Sequence, residues 1–329
     1  MKKFQRFLAA GLAVLLSVGV TACGSGDGGN KTEEVNIGYF NNVTHAQALL
    51  IKSEGSMEDV LGDTAKVKWT AFNAGPAEVE ALFSGDIDIG YIGPVPAVSA
   101  NVKSKGDVGI LAGATKGGSV LVKKKGSDIS SIEDLKGKVV AIPQIGNTQH
   151  LILLQLLSEN GLKPVADGGD VTVSAVANAD VANTMERGDI DAALVPEPWG
   201  ATLLDGGAEL VYDYDKLYLN GDYDVAVVVV RKEFQEEHPD IVEKFLEVHK
   251  AATVTINEDT ENALAKINKE LDEATGKSLS DEIIKEAFQR IVVTADYSEE
   301  SVREFADISK EQKFIEELPG DDLFSRKDK

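Results

Sequence analysis

Phe83-Ser84-Gly85-Asp86-Ile87-Asp88-Ile89-Gly90-Tyr91-Ile92 returns farther along the chain as Glu186-Arg187-Gly188-Asp189-Ile190-Asp191-Ala192-Ala193-Leu194-Val195, displaced by 103 residues. Each copy reads as a helix end stopped by glycine, an acidic turn, and a short apolar strand. Upstream, Val67-Lys68-Trp69-Thr70-Ala71-Phe72 aligns with Val171-Thr172-Val173-Ser174-Ala175-Val176, and Ile37-Gly38-Tyr39-Phe40 with Ala141-Ile142-Pro143-Gln144, both at a displacement of 104. One unit of strand, helix, strand, helix, strand, helix is therefore written twice. Alternating strands and helices predict mostly parallel sheets flanked by helices, and two units predict an α/β protein of two lobes.

The helix boundaries agree with this reading. A helix is predicted from Thr44 after the turn residues Asn41-Asn42, stopping before Gly55; its counterpart starts at Thr148 after Gly146-Asn147 and stops at Gly161. Pro76 suits a first helical turn, where its missing N–H costs nothing. The apolar run through Asp222-Tyr223-Asp224-Val225-Ala226-Val227-Val228-Val229-Val230 is predicted to be a buried crossing strand, and Lys123-Lys124-Lys125 with Gly126-Ser127 to mark the other crossing. Two crossings imply a hinge. Helices predicted at 232–257, 259–274, 279–291 and 298–316 are expected to pack back on the first lobe. The resulting plan is 34–124 for the first part of lobe 1, 125–224 for lobe 2, and 225–329 for the return to lobe 1.

At the N-terminus, Lys2, Lys3 and Arg6 precede an apolar run from Phe7 to Val20 and the sequence Val20-Thr21-Ala22-Cys23. This is the pattern of an export signal, residues 1–22, ending at a lipid-accepting cysteine; the apolar run is short for a bilayer span. Cys23 is the only cysteine, so no intrachain disulfide forms. Residues 23–33, rich in glycine and polar residues, read as a flexible tether. The expected location is the extracytoplasmic face of the cell membrane, held by lipid on Cys23.

Acidic residues outnumber basic ones by 55 to 33, and loss of the signal takes the formal charge from −22 to −25. Such a surface disfavours nucleic acid. An anionic ligand is still compatible with it, because charges beyond about 8 Å are screened at physiological salt while donors in a cleft act at contact range.

Ligands of open parallel sheets bind outside the carboxyl ends of the strands. In the first unit that rule selects Thr44, His45, Asn73, Gly75, Gly93 and Pro94. In the second it selects Asn147, Thr148, Gln149, His150, Glu197 and Trp199, with Tyr223 near a crossing. Thr44 and Thr148 are related by the repeat, each beside free helix N–H groups that attract an anion. Simple helix capping is the alternative for Thr and Asn taken singly at such positions, and their agreement across the repeat favours the ligand-binding reading. Glu197 reads as an acceptor for a ligand amine or hydroxyl, or as a cap. Trp199 and Tyr223 read as cleft walls or as core residues. No metal-ligand spacing, phosphate loop or nucleophile elbow emerges, so neither cofactor nor metal nor catalysis is expected. Asp86, Asp88, Asp189 and Asp191 fall at the opposite strand ends and read as turn formers, and His238 and His249 as solvated residues of acidic surface helices.

Asn73-Ala74-Gly75-Pro76 with Glu80-Ala81-Leu82 and Gly85-Asp86-Ile87-Asp88-Ile89-Gly90 resembles the binding components of aliphatic sulfonate, taurine and nitrate importers. So do Gly146-Asn147-Thr148-Gln149-His150 with Leu153-Leu154, and Gly188-Asp189-Ile190-Asp191 with Glu197-Pro198-Trp199. The resemblance covers about residues 35–230. It implies a type II periplasmic-binding-protein fold, two crossing strands as hinge, and ligand contacts from Asn147, Thr148, Gln149 and His150. It also implies the membrane permease of an ABC importer as partner; the protein is expected to be a monomer. The chain departs from the commonest sulfonate pattern at Asn147, where serine is usual, and at Glu197, where aspartate or a small residue often stands. An aliphatic sulfonate or taurine is the first expectation for the ligand. Nitrate, bicarbonate, a phosphonate-like anion and a pyrimidine precursor are alternatives, as is a sensory or adhesive lipoprotein on the same fold.

Overall fold

The computed structural model describes residues 33–276 and 278–325; the signal, Cys23 and the tether up to residue 32 lie outside the described residues. Eleven strands are present among the described residues: β1 (Glu33–Phe40), β2 (Ala65–Phe72), β3 (Ile89–Ile92), β4 (Val108–Gly117), β5 (Ser119–Lys123), β6 (Val139–Ile142), β7 (Thr172–Ala175), β8 (Ala192–Pro196), β9 (Glu209–Tyr212), β10 (Asp224–Arg231) and β11 (Ile291–Val293). They form a six-stranded sheet of order β11-β4-β10-β3-β1-β2 and a five-stranded sheet of order β7-β6-β8-β5-β9.

The repeat is visible in the pairing. In the first sheet β1 lies parallel between β2 and β3, with antiparallel β10 beyond β3; in the second β6 lies parallel between β7 and β8, with antiparallel β5 beyond β8. The repeated acidic turns have a matching task. Gly85 and Gly188 end their helices at φ 77° and 81°, a left-handed conformation that costs glycine little. The second aspartate of each turn then accepts a backbone N–H from its lobe's first parallel strand: Asn36 to Asp88 at 2.9 Å and Val139 to Asp191 at 2.8 Å. These carboxylates tie neighbouring strands together at the ends opposite the strand-to-helix turns.

Three expectations are corrected. The first change of sheet falls at Gly117-Gly118, not at the lysine stretch: β4 ends in one sheet at Gly117 and β5 opens the other at Ser119. Residues 119–124 thus belong with the second lobe. The return runs between Tyr212 and Asp224, and β10 lies wholly in the first sheet. Second, the C-terminal helices do not all pack on the first lobe. In helix Glu299–Glu311, Val302 and Ala306 join the apolar cluster of β10 and β4, while Phe305 joins the cluster of Leu121, Leu151 and Leu194 in the other lobe. Third, His249 is fully buried; its Nδ1 meets the Tyr91 hydroxyl at 2.8 Å and its Nε2 the Gly113 carbonyl at 2.8 Å. Burial pushes its pKa down to about 4, so it packs as a neutral ring. His238 stays near the surface, 3.0 Å from Glu33.

Glu78, on helix Gly75–Ser84, is a buried acid with no hydrogen-bond partner on either carboxyl oxygen. Gly38 and Gly90 are paired on β1 and β3, and a methyl group built on either would lie 2.2 or 2.3 Å from Glu78 Oε1. The missing side chains make the space for this carboxyl. Burial raises its pKa well above the usual carboxylate range. The folded protein therefore holds a proton that the unfolded chain releases, and stability from this group is full at low pH and declines as pH rises above about 4.5. Glu78→Gln is expected to flatten that decline, leaving stability similar at pH 5 and higher than wild type at pH 8; urea unfolding across that range measures it.

Candidate functional site

The ends of the parallel strands face one another across the gap between the lobes, and four helix starts converge there. Three come from the first lobe: the turn Val43–His45 leading into helix Ala46–Glu54, helix Gly75–Ser84, and helix Pro94–Ser104. The fourth is helix Thr148–Glu159 of the second lobe. They surround a narrow cavity of about 20 Å³, lined in part by Thr44, His45, Gly75, Gly93, Asn147 and Thr148. That volume suits a compact group of few atoms.

Most of the residues selected in the sequence meet here. Asn73 and Gln149 complete the set. Asn147 caps its helix, its Oδ1 accepting the His150 N–H at 2.8 Å, and its amide donates to Gln149 Oε1 at 3.1 Å. Gln149 in turn donates to the Ser119 hydroxyl at 3.0 Å, just past the change of sheet. The Thr44 carbonyl accepts the Thr115 hydroxyl at 2.6 Å, which holds its turn against β4. Thr148 Oγ1 is buried without a partner. It faces Gly93 of the other lobe so closely that a methyl group on Gly93 would lie 2.4 Å from it.

Four further candidates, and Tyr223, stand elsewhere. His150 faces away from the cavity, accepting the Gly146 N–H at 3.0 Å and stacking on Phe314; burial lowers its pKa to about 4. Pro94 is buried in its helix, and Pro96 takes the lining position. Glu197 is fully buried behind the cavity, accepting the Ala201 N–H at 2.9 Å and pairing with Arg290 at 3.2 Å. Burial raises its pKa to about 7 against the opposing pull of the Ala201 N–H and Arg290. Trp199 donates its indole N–H to Asn42 Oδ1 at 2.7 Å, bridging the two lobes at the rim. Tyr223 is buried against Tyr218 and Phe305, its hydroxyl unpaired and its pKa raised by burial.

Asn42 and Asn178 also line the cavity, although sequence reasoning did not select them. Asn178 is 5% exposed with Oδ1 unpaired, and it sits in the β7-to-helix turn, where the displacement of 104 pairs it with Ala74.

Among the described residues no lysine, arginine, aspartate or glutamate lines the cavity. His45 is neutral, because burial lowers its pKa to about 3, and its Nδ1 accepts the Phe40 N–H at 3.2 Å. The site therefore offers only neutral donors, side-chain amides and hydroxyls together with helix N–H groups, whose partial positive charge favours an anion.

The sequence pattern of the NMT1-like family matches residues 28–268. The chain belongs to this family. The NMT1-like protein is 37% identical over 182 residues to the taurine-binding periplasmic protein of Escherichia coli strain K12, an alignment that spans 55% of this chain and only 54% of that relative. It is 31% identical over 225 residues to a putative aliphatic sulfonates-binding protein of the same organism, covering 68% of this chain and 67% of the relative. The fold of the NMT1-like chain matches that of the alkanesulfonate-binding protein SsuA from Xanthomonas axonopodis pv. citri bound to MOPS, with TM-score 0.72 and 23% identity over 87% of this chain and 94% of that one. The two α/β lobes expected from the repeat, and the periplasmic-binding-protein fold implied by the resemblance, are borne out.

Proposed function

We propose that this protein is an extracytoplasmic solute-binding lipoprotein, not an enzyme, that captures a small organic sulfonate between its lobes and passes it to the membrane permease of an importer. The observation that carries this reading is the narrow interlobe cavity lined by no charged side chain, where four helix starts meet beside the unpaired Thr148 hydroxyl. A sulfonate bears one delocalised charge and no proton, so it needs several hydrogen-bond donors and no counter-cation. A dianion such as a phosphonate in its fully ionised form would leave a charge uncompensated in a buried site. The taurine and sulfonate relatives support the same class of ligand. The export pattern and Cys23 support lipid anchorage outside the cytoplasm.

A thermal-shift screen of the mature protein against taurine, alkanesulfonates, phosphonates, nitrate, bicarbonate and pyrimidines tests the reading. A bound sulfonate at a hundred times its dissociation constant adds about 2.7 kcal/mol to the folded state, a rise of roughly 5 °C or more for a chain of this size. Thr148→Ala is expected to lower sulfonate affinity about tenfold through loss of one donor to a charged group, with unchanged stability of the free protein. Stabilisation by a phosphonate but by no sulfonate would remove this assignment.

A further inference from the structure

A row of three side chains leads from the cavity into the sheet of the second lobe. Asn147 Oδ1 accepts the His150 N–H at 2.8 Å, so the amide nitrogen faces the other way, toward Gln149 Oε1 at 3.1 Å. With its oxygen taken up by Asn147, Gln149 turns its own nitrogen to the Ser119 hydroxyl at 3.0 Å. Neither amide can flip without setting donor against donor. Ser119 is fully buried at the start of β5, an interior strand, where it pairs with Pro196 of β8. The row is thus anchored on the sheet, and all its members belong to one lobe, so no link in it depends on lobe closure. The two neighbours in the helix start differ in what they have left to give. Thr148 Oγ1 is buried without a partner, whereas both polar atoms of Gln149 are engaged. The repeat shows the same device in the first lobe. His45, displaced by 104 from Gln149, turns back to accept the Phe40 N–H at 3.2 Å and stacks on that ring with centroids 4.3 Å apart. In both lobes the residue after the threonine braces the turn.

We infer that Gln149 is a positioning residue that does not itself hold the ligand: it fixes the Asn147 amide so that the remaining Asn147 N–H is a ready donor at the cavity. This inference rests on the proposed function, in that the ligand is an anion in this cavity, and it departs from the expected ligand contact at Gln149. The cap bond to His150 holds one end of the Asn147 side chain. Gln149 fixes the plane of the amide, and with it the direction of the N–H that is left. A donor set in advance needs no ordering when the ligand arrives.

The test is a double-mutant cycle read by calorimetric titration with taurine, methanesulfonate and nitrate. Gln149→Leu is expected to lower affinity about tenfold in the wild-type chain, the scale of one donor to a charged group. In an Asn147→Ser background it is expected to cost less than about twofold, because serine keeps the helix cap but leaves no amide to direct. Gln149→Glu, close to the native shape, supplies the second arm. Burial keeps its carboxyl protonated at pH 5, where it accepts from Asn147 and donates to Ser119 as the native amide does, with no further proton for a ligand. Its affinity is therefore expected within about threefold of wild type at pH 5 and at least about tenfold below wild type at pH 8, where ionisation sets a negative charge beside the anion. No loss in Gln149→Leu, an equal loss in both backgrounds, or no recovery of Gln149→Glu at pH 5 overturns the positioning role and leaves the sulfonate assignment standing. Binding of nitrate alone overturns the sulfonate assignment, and the cycle is then decided with nitrate. No binding of any of the three by the wild type overturns both.

Discussion

Replacing Gly93 with alanine is expected to weaken ligand binding about 10- to 100-fold while the free protein unfolds at nearly the same denaturant concentration. Gly93 has φ −69°, a conformation that alanine adopts freely, so the first lobe folds as before. The added methyl would stand 2.4 Å from the Thr148 hydroxyl of the second lobe, and the clash exists only when the lobes are closed. Overpacking of this kind costs about 1–3 kcal/mol, and here the whole cost falls on the closed state, which the ligand must then select at a matching loss of affinity. Titration calorimetry together with urea unfolding separates the two effects. A parallel loss of stability and affinity would show that Gly93 serves folding instead.

Arg290→Ala is expected to destabilise the protein by about 3 kcal/mol at pH 8 and by less at pH 6. The guanidinium contacts Glu197 at 3.2 Å, Asp213 at 3.0 Å and Glu286 at 2.9 Å, joining the C-terminal helical region to the second lobe and to the connection between the sheets. Glu197 is fully buried, and removing the partner of a buried charge costs about 3–5 kcal/mol unless the charge is neutralised. Neutralisation sets the pH dependence. The folded-state pKa of Glu197, about 7, lies above its unfolded value of 4.5, so this group's contribution is full below about 4.5 and is lost as pH rises through 7. Without Arg290 the folded pKa rises further, and the deficit relative to wild type grows with pH. Urea unfolding at pH 6 and 8 gives the difference, and a pH-independent loss would contradict this account. Lysine at 290 keeps the charge but not the three-way fork, and should recover only part of the loss.

The repeated unit was legible because each copy carries its own local signals, glycine stops and acidic turns displaced by about a hundred residues. That regularity also located the strand-to-helix turns, and hence Thr44, Gly75, Gly93, Asn147 and Thr148 at the cavity. It did not reach Asn178, because the displacement of 104 carries Asn73 onto Ala177, one residue short. Two kinds of feature lay beyond it. The change of sheet at Gly117-Gly118 interrupts a nearly continuous apolar stretch from β4 into β5, with little change in composition to mark it, whereas the more conspicuous lysines lie at the far end of β5. Partnerships over long separations leave no local trace either: Glu197 with Arg290, and Trp199 with Asn42, depend on the closed arrangement of lobes. His249 was readable in principle. It falls on the apolar stripe of its helix with Phe245, Ala252 and Ile256, a periodicity that outweighs the acidic composition around it.

The junction at Gly117-Gly118 determines what kind of motion is available. Both glycines have positive φ, 71° and 73°, and a methyl on the first would press on the Arg290 carbonyl at 2.8 Å, one on the second on the Ile291 side chain at 2.4 Å. Consecutive residues of one strand path thus end one sheet and begin the next with no slack between them. The return between Tyr212 and Asp224 runs beside this junction, the Gly117 N–H donating to the Tyr223 carbonyl at 2.9 Å, so the two links between the sheets lie together and favour rotation about their common line. Any body that touches both outer rims of the molecule would read occupancy as an angle.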